Sequence, residues 1–190
     1  MDKLRFGYAI TGSYCTFEKT FAQIEYLITK GVDVYPIMSY NAKNTDTRFG
    51  QAEYFVKRAE ELTGHKVIDS ITSAEPVGPK KMFDLLIVSP CTGNTLSKLS
   101  NGIYDTPVTL AVKSHLRNER GVLIGVSTND ALSSAAENIG RLLNRKHYYF
   151  IPMKQDSPES KPFSVVCDFE KTYEAALSAL SGKQLQPILL

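Results

Sequence analysis

Apolar runs of strand length alternate along this chain with longer stretches whose apolar positions recur every three or four residues. The pattern predicts strands over 4–10, 32–38, 83–89 and 121–127, and a shorter one over 148–151. It predicts helices over 15–30, 47–63, 92–101, 107–118, 131–145 and 169–180. In the first helix Phe17, Phe21, Ile24, Leu27 and Ile28 make the apolar stripe, and Gly31 fits the position that closes a helix in the left-handed conformation. Gly64 closes the second helix in the same way. The third strand is apolar almost throughout, as expected of a strand covered on both faces. Residues 69–82, with Pro76, Gly78 and Pro79, read as irregular, and 152–164 as a polar, Pro-containing loop.

Strands alternating with helices imply right-handed crossovers and a parallel sheet with helices on both faces. The expected fold is one α/β domain over 1–190, a Rossmann- or flavodoxin-like three-layer sandwich with five or six strands. Such sheets bind ligands outside the carboxyl ends of their strands, near the point where strand order reverses. Those ends carry Thr11, Gly12 and Ser13, then Ser39, then the run from Ser89 through Cys91, Thr92, Gly93 and Asn94 to Thr95, and then Ser127, Thr128, Asn129 and Asp130. Gly12 lets a ligand approach the backbone, and Ser13 can cap the following helix or offer its hydroxyl. A helix start favours an anion such as a phosphate. Each feature also has a plain structural meaning as a turn or cap. Only the third run carries more polar groups than one helix start requires. The first turn is not GxGxxG, so a dinucleotide fingerprint is absent.

The 190 residues suit one sizeable core, and the net charge of +2 comes from well-mixed acidic and basic side chains. That balance gives no case for nucleic acid or an anionic membrane as partner. No apolar run reaches the ~20 residues of a membrane span, and the first residues do not form a signal peptide. Three widely separated cysteines, Cys15, Cys91 and Cys167, fit neither a disulfide framework nor a zinc site, and the cytoplasm is the expected compartment.

Pro90, Asn94, Thr95, Lys98, Gly102, Ile103 and Asp105 match the Pro-Ala-Ser-Ala-Asn-Thr motif, Lys and Gly-Ile-x-Asp of the flavin-containing Cys-decarboxylase superfamily. The chain resembles that superfamily over its first two-thirds, with Ile10 to Ser13 as the phosphate-binding start. The last third resembles the dipicolinate synthase branch, through Ser127 to Asp130, Asn138 to Gly140, Pro152, Gln155, Asp156, Lys161, Pro162, Ser164 and Gln184 to Pro187. The resemblance implies one component of a two-subunit oxidoreductase that aromatises a dihydrodipicolinate-type dicarboxylate in a sporulating cell. It implies a homo-oligomer, FMN or a related anion held through Gly12, Ser13 and Ser39, and NAD(P) on the partner, the A-type component of dipicolinate synthase. Cys91, Thr92 to Thr95, Ser127 and Asn129 complete the cofactor-binding set, and Asp130 is the candidate base. The alternatives are a flavin-free protein that holds the substrate or acts as a scaffold, and a stand-alone decarboxylase or flavin prenyltransferase. Decarboxylases of the superfamily place a His before the third strand. The corresponding stretch here, 71–80, has none, and Ser127 to Asp130 replaces their Pro-x-Met-Asn.

Smaller signals stay open. Cys15 sits at a helix start, where a thiolate is favoured, but a packed thiol is the simpler reading. His115, with Lys113 and Arg117, reads as a solvated helix face. The 154–164 loop is either plain surface or a lid that brings Lys154 or Lys161 to a dicarboxylate.

Overall fold

The computed structural model describes residues 3–190. Five parallel strands lie in the order β2 (Asp33–Met38), β1 (Arg5–Ile10), β3 (Leu85–Cys91), β4 (Val122–Thr128) and β5 (Tyr148–Phe150). The helices are α1 (Phe17–Thr29), α2 (Tyr40–Asn44), α3 (Ala52–Thr63), α4 (Ile71–Ala74), α5 (Gly93–Asn101), α6 (Pro107–Leu116), α7 (Ala136–Leu143) and α8 (Thr172–Leu180). The period-two alternation of the strands divides the core. Phe6, Tyr8 and Ile10 of β1 and Leu85 and Ile87 of β3 pack with Phe17, Phe21 and Ile24 of α1, Phe55 of α3 and Ala176 of α8. Ala9, Leu86 and Val88 face the other way, onto Leu96 and Leu99 of α5, Val108 and Val112 of α6 and Leu142 of α7. The expected three-layer α/β sandwich is therefore present.

Gly31 and Gly64 take φ of 81° and 73° at the ends of α1 and α3, as the sequence predicts. Four expectations are corrected. First, the helix predicted over 47–63 begins only at Ala52. Thr47 and Gly50 hydrogen-bond each other's backbone across a tight turn, and the Asp46 carboxylate accepts from the Ala52 N–H at 2.8 Å. Second, 69–82 is not wholly irregular. Ser70 and Ser73 cap each other reciprocally and nucleate α4. Third, 152–164 is not a loop. It supplies β6 (Met153–Ser157) and the start of β7 (Lys161–Cys167), an antiparallel hairpin that raises the sheet to seven strands. β7 pairs antiparallel with the end of β4, Ser127 opposite Val166 and Thr128 opposite Val165. The helix predicted over 131–145 also starts late, at Ala136. The turn before it folds onto the Asp130 carbonyl, which accepts from the Ser133 and Ala135 N–H groups.

Candidate functional site

The reversal of strand order falls between β1 and β3, and their carboxyl ends are tied by one hydroxyl. Thr11, 1% exposed, donates to the Pro90 carbonyl at 2.8 Å and accepts from the Thr92 N–H at 3.1 Å. The next contact reaches β4: the Ser13 and Ser127 hydroxyls meet at 2.9 Å. Ser13 makes no side-chain cap, so its hydroxyl serves this pair. Ser39 caps α2 by accepting from the Ala42 N–H at 3.2 Å.

Two adjoining chambers open at these ends. The larger, about 860 Å³, is lined by Gly12, Ser13, Thr92, Gly93, Asn94, Ser127, Asn129 and Asp130 of the expected set. Sequence reasoning did not single out Tyr14, Lys19 or Phe49, which also line it. The smaller, about 350 Å³, is lined by Gly12, Ser39, Thr92, Asn94 and Thr95, together with Lys98 and Thr106. Gly12, Thr92 and Asn94 border both. Cys91 lines neither. It is fully buried on β3, and burial pushes its thiol pKa up, so the structure makes it a core filler. The Asn94 and Asn129 amides are exposed and form no hydrogen bond among the described residues.

Asp130 is held on both oxygens, by Thr128 on one and by Ser134 at 2.7 Å on the other. Partial burial raises its pKa, but these hydrogen bonds outweigh burial and leave it below the ordinary aspartate value. A Cβ at Gly93 would stand 2.7 Å from Oδ1 of Asp130, so only glycine lets the start of α5 lie this close to the carboxylate. The Lys98 ammonium contacts both Asp105 oxygens, at 2.6 and 2.8 Å. Gly102, with φ of 72°, reverses the chain between them and so gives the Lys-to-Gly-Ile-x-Asp spacing its structural meaning.

The hairpin forms a further wall of the larger chamber. Asp156, Lys161, Ser164, Val165 and Val166 line it, whereas Lys154 does not. Lys161 pairs with Asp156 at 2.7 Å. His115 lies away from the chambers, and the solvated reading is corrected. It is 1% exposed, its ring contacts the Gly121 carbonyl at 3.0 Å, and burial lowers its pKa to about 4. Among the described residues no cluster of His, Cys, Asp and Glu is placed to hold a metal, and no helix is long and apolar enough to cross a membrane.

Residues 1–178 match the flavoprotein family model, and the chain belongs to that family. Within it, the chain is 46% identical to the B subunit of dipicolinate synthase of Bacillus subtilis (strain 168), over 98% of this chain and 93% of that one. The crystal structure of the corresponding B subunit of dipicolinate synthase from Bacillus halodurans superposes with a TM-score of 0.90 at 39% identity, covering 100% of this chain and 98% of the other. The FMN-dependent cysteine decarboxylase SpaF shares the fold at a TM-score of 0.69 and 20% identity, over 94% and 97% of the two chains.

Proposed function

We propose that this chain works as a B-type subunit of dipicolinate synthase, binding FMN and the dicarboxylate during oxidation of a dihydrodipicolinate-type intermediate. The carrying observation is the donor-lined double chamber at the reversal point of a chain similar end to end to that protein. The residues fit a flavin mononucleotide. Neutral hydroxyls, free amides and the first turn of α5 supply donors for a phosphate and a polar ring edge. The Asp130 carboxylate beside Gly93 repels a phosphate from that end of the larger chamber. The phosphate is therefore assigned to the Gly12 and Ser39 side, beside Lys98. Bound there, FMN would supply a two-electron acceptor.

The overall reaction removes a hydride and a proton from the ring. Asn94 and Asn129 orient the ligand by hydrogen bonds from the free amides. Asp130, ionised near neutrality, accepts a hydrogen bond or a proton from it. The lowered pKa makes it a weak base and a strong hydrogen-bond acceptor. The A-type component of the synthase as partner, with NAD(P) on it, completes the reading, as does a homo-oligomer of this chain.

The rival decarboxylase reading loses support because 71–80 folds as α4 and a turn without a histidine. The visible spectrum after FMN addition and gel filtration tests the proposal. A retained flavin band supports it. A colourless protein that nonetheless raises turnover by the A-type partner moves the redox step to that partner.

A further inference from the structure

Four charged side chains line the larger chamber: Lys19, Asp130, Asp156 and Lys161. Their arrangement is uneven. Asp130 is fixed by two hydroxyls against the start of α5 and lines the chamber as a carboxylate. A ligand carboxylate is repelled there and must turn towards the cations. Lys98, in the neighbouring chamber, is held by both oxygens of Asp105. Lys161 is held by only one carboxylate oxygen, on an exposed hairpin, with the pair's side chains 58% and 38% exposed. An exposed ion pair of this kind is worth about 0–1 kcal/mol and exchanges readily. The Asp156 carboxylate thus already shows, at 2.7 Å on the chamber wall, the contact a ligand carboxylate would make. Lys19, on α1, is a second cation on the same chamber, contributed by a different element.

Resting on the substrate class proposed above, we infer that Lys161 is the carboxylate-recognition residue of the larger chamber, and that Asp156 competes with the ligand for it. The hairpin then sets specificity for a dianion, and the strand-end hydroxyls and amides set the cofactor.

Calorimetric titration of pyridine-2,6-dicarboxylate into the full chain, with pyridine-2-carboxylate as the single-charge comparison, tests this. Lys161→Met should weaken dicarboxylate binding by about tenfold, the loss of one charge-assisted contact. Asp156→Asn should tighten it by about threefold, because the competitor is gone. A merely structural ion pair would make both variants bind worse, and that result overturns the inference. Parent-like binding by both variants also overturns it and leaves the proposed function standing. If the parent itself does not bind the dicarboxylate, the substrate class fails and the inference fails with it.

Discussion

The chamber has two kinds of wall. The strand-end wall is made of buried or half-buried hydroxyls that bond backbone groups and each other across the ends of β1, β3 and β4. The hairpin wall carries one exposed ion pair, Asp156–Lys161, beside Ser164, Val165 and Val166. The first is fixed by the fold, since its groups would cost about 1–3 kcal/mol each if left unpaired in the interior. The second costs little to rearrange. A site built this way separates a rigid half, suited to a resident group, from an adaptable half, suited to a ligand that comes and goes.

Substitutions should separate the walls sharply. Thr11→Val keeps the shape but strands the Pro90 carbonyl and the Thr92 N–H, and should cost about 2–3 kcal/mol in urea unfolding. It should also lower flavin retention. Ser127→Ala breaks the bridge to Ser13 and should cost about 1 kcal/mol, read in the same titration.

Acid should act on the strand-end wall as well. The Asp130 pKa is depressed in the folded chain, so its contribution is present above the unfolded aspartate value of about 4 and is lost as pH falls through the lower folded value. Asp130→Asn should flatten that part of the stability–pH curve. The smallest effect belongs to the hairpin. Lys161→Met should change unfolding free energy by less than about 1 kcal/mol while altering ligand affinity. A large stability loss there would erase the distinction between the walls.

The same division explains what was legible in the sequence. The five parallel strands announced themselves through apolar runs, because burial on both faces demands them. Gly12, Ser13, Asn94 and Asp130 were legible because small polar residues at the ends of such strands mark the ligand-facing edge. The hairpin was not. Lys154, Gln155 and Asp156 in β6, and Lys161, Pro162 and Phe163 at the start of β7, are all exposed, so neither run shows the alternation that marks a half-buried strand. Its pairing is dictated by the open edge of β4, which is a tertiary fact. Cys91 sits inside the motif and was also readable as a small filler, and the pleat turns its side chain into the core. Lys19 and Phe49 reach the chamber from helix and turn positions that carry no local polar signature.

The hairpin also has a consequence for solubility. β4 is paired along its first half by β5 and at its end by β7, so no free backbone remains for a stray strand at residues 127–128. The outer margin of the sheet passes instead to β6, whose Lys154, Gln155 and Asp156 are exposed. Charge on an edge strand discourages edge-to-edge growth. The Asp156–Lys161 pair therefore lies on both a wall of the larger chamber and the hairpin margin of the sheet. Making that strand apolar should favour aggregation.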